Sequence, residues 1–133
     1  MSPRIDVEFV EDVAEKKHNL GTDQLKVALT NSAPSATNTV LANITEVAYT
    51  NLSTRNITTS SSSQTSGTYR LVLTDLVLTS SGGTTGPFRY VVVYNDTATN
   101  DELIAYYDYG TSITLQDGDT FTVDFGSSLF TLA

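Results

Sequence analysis

The 133-residue sequence contains no cysteine, no tryptophan and a single histidine, His18. Without thiols there is no disulfide frame, no cysteine nucleophile and no thiolate metal site, and one imidazole cannot build a multi-histidine zinc centre. Positive charge is scarce as well: seven Lys and Arg stand against fifteen Asp and Glu, a formal net charge of -8. Nucleic-acid backbones are bound by clustered cations that displace counterions, so no nucleic-acid partner is expected. Long apolar runs are also missing. No segment approaches the roughly 20 residues that a helix needs to cross a bilayer, so no membrane partner is expected. The opening MSPRIDVEFVEDVAEKKHNL places acids throughout its semi-apolar part and lacks the apolar centre of a signal peptide. Export is therefore not expected, and the four sequons at Asn43, Asn51, Asn56 and Asn95 are expected to stay unmodified.

The charge that is present is unevenly spread. No Lys or Arg follows Arg89, whereas Asp96, Asp101, Glu102, Asp108, Asp117, Asp119 and Asp124 do; between Lys26 and Asn95, four cations face Glu46 and Asp75. Two readings stand side by side: a polarised surface that orients association with a partner, or chance clustering on an acidic protein.

One helix is expected, on a periodicity running from about Val7 to Asn19. Phe9, Val10, Val13, Ala14 and Lys17 fall at spacings of three and four, acids stand in the first turn, Lys16, Lys17 and His18 in the last, and Gly21 is placed to cap it. His18 then reads as a partner of the helix dipole. The chain divides into a single domain over 1–133, with 1–8 a candidate extended arm and 9–20 the helix.

Everything afterwards reads as β-structure. LKVALT turns Leu25, Val27 and Leu29 to one face, while Thr39 to Val47 fits a short helical turn or a strand equally. The Ser-rich stretch after Thr59 is expected to be an exposed, mobile loop. Alternation changes phase between Leu73 and Leu76, so either a bulge at Thr74-Asp75 corrects the register or the chain turns there, and the lack of a positive-φ residue for a tight hairpin favours the bulge. SGGTTGPFRYVVVY leads glycines into a central strand, with Phe88, Tyr90, Val92 and Tyr94 on one face. It lacks the lysine and following helix of a phosphate cradle. Asp117-Gly118 is read as the two-residue turn of a hairpin joining SITLQ to DTFTVDF, in which Phe121, Val123 and Phe125 point inward. About eight short strands with one N-terminal helix predict a mainly β protein, an antiparallel sandwich or jelly-roll-like barrel.

No catalytic residue, cofactor or metal ligand is assigned, and the chain reads as a non-enzyme. Asp96, Asp101 and Glu102 share a loop, but their spacing matches no calcium-binding loop and a solvated turn is the simpler account. Tyr106, Tyr107 and Tyr109 must point to both faces of one strand. They read as core plus interface edge, or as a stacking platform for a sugar. In the arm, Arg4, Ile5, Val7 and Phe9 form a candidate contact segment, because Ile5, Val7 and Phe9 alternate and can add to the edge of a partner's sheet.

The segments HNLGTDQLKVALTNSAPSATNTVLANITEVA, GPFRYVVVYNDTAT and LIAYYDYGTSITLQDGDTFTVDF resemble a family of small structural proteins of tailed double-stranded DNA bacteriophages. The resemblance spans most of the chain. It implies a virion component made in the host bacterial cytoplasm, foremost a capsid decoration or cement protein. Such a protein stabilises the head from outside the shell, with the major capsid protein and further copies of itself, as a trimer, for partners. A tail-tube, head-tail joining or tail-tip protein is the alternative within that class, and a carbohydrate-binding module the alternative outside it.

Overall fold

The computed structural model describes residues 2–133. Nine strands and one short helix make three antiparallel sheets: β1 (Arg4–Ile5), α1 (Phe9–Ala14), β2 (Leu25–Thr30), β3 (Thr59–Thr65), β4 (Thr68–Leu73), β5 (Leu76–Thr79), β6 (Thr85–Asn95), β7 (Leu103–Leu115), β8 (Thr120–Val123) and β9 (Phe130–Leu132). The largest sheet runs β1-β7-β6-β2; the others run β3-β4-β9 and β5-β8. The protein is mainly β, its strands close no barrel, and its layers are those of a sandwich.

The layers follow from which residues alternate. Leu25, Val27 and Leu29 of β2, Phe88, Val91 and Val93 of β6, and Ile104 and Tyr107 of β7 pack against Leu71 and Leu73 of β4, Leu78 of β5, and Phe121 and Val123 of β8. Phe9, Ile57, Phe125 and Leu129 close the ends of this core. Removing a side chain such as Leu71 from water, where it is 0 % exposed, stabilises the fold by roughly 2 kcal/mol. On the other face of the large sheet, Ala28, Val92, Tyr94 and Leu103 form a second cluster, covered by Leu41 and Ile44. Leu41–Asn43 is a single 3-10 turn, which resolves the ambiguous stretch after Thr39.

Several expectations need correction. The helix is six residues long and does not reach Asn19. Lys16 takes a left-handed conformation (φ 66°), and the Lys17 and Lys16 amides close back onto the carbonyls of Asp12 and Val13. That is a Schellman closure, with a lysine where glycine is usual and with Gly21 uninvolved. Val10 lies on the solvent side at 69 % exposure, so the apolar stripe reduces to Phe9 and part of Val13.

The Ser-rich stretch is a strand, β3, joined to β4 by a two-residue turn in which Ser66 (φ 52°) and Gly67 (φ 85°) both have positive φ. Hydroxyl side chains hide the alternation there, but the ladder to β4 satisfies the backbone. Thr74-Asp75 is not a bulge: β4 ends, and the chain crosses into another sheet, where Leu76 to Thr79 pair with β8. Asp117-Gly118 makes a turn with positive φ at Gly118 alone, and it joins β7 to β8 without pairing them. Phe88 faces the main core with Val91 and Val93, because ladder irregularities on either side of it reverse the parity expected from Tyr90, Val92 and Tyr94. Phe121, Val123 and Phe125 do point inward.

Candidate functional site

The two edges of the large sheet are finished differently. Along β2, the segment from Glu46 to Ile57 covers the edge: Val47 and Ile57 amides donate to the Leu29 and Leu25 carbonyls, and the Val27 amide donates to the Arg55 carbonyl. Arg55 reinforces this cover. Its guanidinium donates to the Val27 carbonyl at 2.9 Å and lies 3.8 Å from the centre of the Tyr49 ring. The Tyr49 hydroxyl donates to Glu46 at 2.7 Å and accepts the Leu29 amide at 3.0 Å. Burial holds this phenol well above the ordinary tyrosine range.

At the opposite edge lies β1. Arg4 pairs with Tyr106 and Ile5 with Ala105, and the Asp6 amide donates to the Ile104 carbonyl at 2.8 Å. The arm is thus an edge strand of its own sheet and does not project freely. Strand alternation turns the Asp6 amide toward β7 and the backbone groups of Ile5 away from it, toward solvent. Ile5 and Val7 stay exposed at 41 % and 62 %, whereas Phe9 is fully buried under the ring of His18 and the edge of Phe130. Of the four candidate arm residues, Phe9 therefore belongs to the core. Arg4, Ile5, Asp6 and Val7 line a groove of about 240 Å³, closed on its far side by Pro34, Ser35 and Ala36 and floored by Val92 and Ala105.

The arm and the tyrosines meet here. The Arg4 guanidinium is 6.0 Å from the Tyr106 ring centre, and Tyr106 meets Tyr90 edge-on at 6.3 Å. Beyond Tyr90, Arg89 lies 5.4 Å from that ring and makes a two-pronged ion pair with Asp108, at 2.8 and 3.1 Å. The Arg89 guanidinium, with the Gly110 amide, holds the Asp108 carboxyl below its usual range. A row of two adjacent aromatic rings flanked by cations, Arg4, Tyr106, Tyr90 and Arg89, therefore crosses β1, β7 and β6 on the outer face of the sheet.

Tyr107 points the other way, into the main core, with no hydrogen-bond partner for its hydroxyl among the described residues; burial pushes that phenol up to about 12. Tyr109 is 43 % exposed and rests edge-on against Phe121. The three tyrosines thus share no common ring surface.

His18 is not at a helix end. It is buried four residues past α1, and its Nδ1 lies 2.9 Å from the Asn95 amide nitrogen. Asn95 is 0 % exposed, which puts this sequon asparagine out of reach of a glycan. Its amide also donates to Asp23 at 2.7 Å, and its carbonyl oxygen accepts the Thr97 and Ala98 amides. Sequence reasoning missed this hub because 77 residues separate His18 from Asn95; only the turn-forming Asn95-Asp96 pair marks it locally.

In the loop read as a calcium candidate, the Glu102 carboxylate is buried and accepts the Asn100 amide at 2.8 Å, while Asp96 pairs with Lys26 at 3.8 Å. Among the described residues no cluster of His, Asp and Glu is arranged to hold a metal ion. The glycine loop is equally committed to structure. The Gly82 amide donates to Asp117 at 2.9 Å and the Gly118 amide to the Ser80 carbonyl at 2.7 Å, so the two turns dock on each other.

Comparison with protein-family models, with curated proteins and with solved structures found no match to this chain.

Proposed function

We propose that the protein is a structural component of a tailed-phage virion, a capsid decoration protein that binds the outside of the major capsid lattice and stabilises the head. One observation carries the reading onto this molecule: the uncovered edge at β1, with exposed Ile5 and Val7 beside the Arg4, Tyr106, Tyr90 and Arg89 row. Exposed apolar side chains next to tyrosine and arginine are the composition that protein interfaces favour. The backbone groups of Ile5 offer a partner a further strand. Arg4, the cation of this row that makes no salt bridge among the described residues, suits an acidic, extended segment of the shell.

The role is assembly without chemistry. Each copy contributes a modest contact, and repetition over the lattice, with copies associated as trimers at three-fold positions, raises occupancy through multivalency. Neither nucleic acid nor membrane is a partner in this reading.

The test is reconstitution on capsids that lack the protein. Ile5→Asp with Val7→Asp should reduce occupancy on shells at least tenfold while circular dichroism and the monomer's melting curve stay unchanged. Undiminished occupancy would remove the edge from the interface. Electron microscopy of particles carrying a labelled copy decides the location, and label found on the tail would replace decoration by a tail or joining role.

A further inference from the structure

We propose that His18 is a neutral-histidine latch whose protonation releases the segment from Lys16 to Gln24 from the end of the large sheet, making the α1 end of the molecule open on acidification. The inference is independent of any virion role. It rests on the hydrogen-bonding capacity of Asn95. That side chain has four bonds to make and makes all four: two acceptor bonds at its carbonyl oxygen, from the Thr97 (3.0 Å) and Ala98 (3.2 Å) amides, and two donor bonds from its amide nitrogen, to Asp23 (2.7 Å) and to His18 Nδ1 (2.9 Å). The amide is therefore fixed in orientation. Turning it over would face its nitrogen with two backbone N–H groups and its oxygen with the Asp23 carboxylate. With an N–H aimed at it, Nδ1 must supply a lone pair, so the ring is neutral and carries its proton on Nε2. That Nε2 is buried without a hydrogen-bond partner among the described residues.

A second proton on the ring would fall on Nδ1. Two N–H donors would then confront each other at 2.9 Å, inside a site where Asn95 is fully buried and His18 is 8 % exposed. The bond that closes the latch becomes a repulsion, and a charge is left under Phe9, whose ring centre is 5.4 Å from that of His18. The charged surroundings pull in both directions. Asp23 and Glu102 favour the imidazolium, and burial disfavours it more, so the ring is held below its ordinary range. On α1, Asp12 is buried near Glu102 and Lys17 and its carboxyl is pushed up, chiefly by burial. From the neighbouring sheet, Tyr69 borders the same groove with Lys16, its hydroxyl 2.7 Å from that of Ser62. Among the described residues the hydrogen-bond partner of Nδ1 is the Asn95 amide nitrogen, a donor that cannot accept from Nδ1–H.

What the latch holds is defined by its connections. Asp23 accepts the Asn19 amide at 2.9 Å as well as the Asn95 amide, so the bonds of His18 and Asp23 to Asn95 pin both ends of this turn to the end of β6. Once His18 swings away from Asn95, the stack of Phe9 on His18 no longer anchors α1.

The chain has one histidine, so long-range ¹H–¹⁵N NMR of its ring reads the latch without assignment ambiguity. At pH 7.5 the expected spectrum shows a bare Nδ1 and a protonated Nε2. On titration to pH 4.5 the ring should protonate with a midpoint below 6.5. Amide exchange of residues 16–24, corrected for its intrinsic pH dependence, should accelerate at least tenfold over the same step, while β2 and β6 centre amides stay protected. Measurement in Asp6→Asn removes a carboxyl pushed up into this range. His18→Gln, which presents an amide oxygen to Asn95, should keep the segment protected at both pH values. A ring protonated on Nδ1 at pH 7.5, or protonation without faster exchange at residues 16–24, would overturn the proposal, and both are read on the unmodified protein.

Discussion

Asp6 offers a quantitative test of how the β1–α1 junction is built. Its carboxylate accepts the Glu8 amide at 3.1 Å and its carbonyl accepts the Phe9 amide, so it shapes the entry to the helix. Burial is nonetheless the larger influence and pushes the carboxyl from 3.8 to about 6, with Asp12 and Glu8 adding repulsion. Because the folded value lies above the unfolded one, the folded state binds the proton more tightly. The resulting stability is fully present below about 3.8 and is lost as pH rises through about 6. At about 1.4 kcal/mol per pH unit, the interval from 3.8 to about 6 corresponds to roughly 3 kcal/mol for a fully desolvated group. Asp6 is only half-buried, and water screening brings that to roughly 1 kcal/mol. Asparagine keeps an oxygen for the Glu8 amide and carries no charge. Asp6→Asn should therefore be more stable than the parent by about 1 kcal/mol at pH 7.5 and indistinguishable from it near pH 3.5. With a urea slope of roughly 1–2 kcal/mol/M, the midpoint at pH 7.5 should rise by about 0.5–1 M. Parallel stability curves for the two proteins from pH 3.5 to 7.5 would refute the reasoning. So would a variant less stable at every pH, since the hydrogen bond would then outweigh burial.

Three further substitutions follow from local geometry. Tyr107→Phe removes a buried hydroxyl that has no partner among the described residues, and should raise stability by up to about 1 kcal/mol, visible as a melting point higher by about 3 °C; a clear loss would show that the hydroxyl is satisfied. Gly86→Ala should cost about 2 kcal/mol or more, because Gly86 has φ 116° and an added Cβ would lie 2.8 Å from the Ile113 carbonyl oxygen; a soluble variant with unchanged melting temperature contradicts it. Lys16→Gly relieves a left-handed lysine at φ 66° and should stabilise by about 0.5 kcal/mol after the unfolded chain's added freedom is counted, measured by urea titration at pH 7.5, where a loss would point to a lysine interaction worth more than the strain.

The parts of the fold that were legible in the sequence are those whose side chains repeat with the strand's own period. Leu25, Val27 and Leu29, and Phe121, Val123 and Phe125, sit where alternation puts them. Reading failed where hydropathy is silent or the ladder is irregular. The serines of β3 carry no inside–outside contrast, though Ser66-Gly67 held a turn signal equal to that of Asp117-Gly118. The latter marks a real turn, but β8 finds its partner in β5, some forty residues earlier, and no local rule names that pairing. At the candidate site, Tyr106 and Arg4 were both named as candidate contact residues, while their meeting depends on β1 pairing with β7 across a hundred residues. The His18–Asn95 pairing is of the same kind. Charge patterning suggested a dipole partner for His18 because the helix was read as twice its true length.

The covered edge at β2 has a consequence for growth. A sheet with two bare margins accepts a strand on either side and can lengthen without limit, which is the route to fibres. Here the Glu46–Ile57 segment and the Arg55–Tyr49 stack seal one margin, so the large sheet can recruit a strand at the β1 side alone. Pro3 beside that strand withholds one amide and limits the span of any such union. Association through this sheet is thereby a terminating event: one added strand fills it, and copies joined there do not go on to polymerise through it.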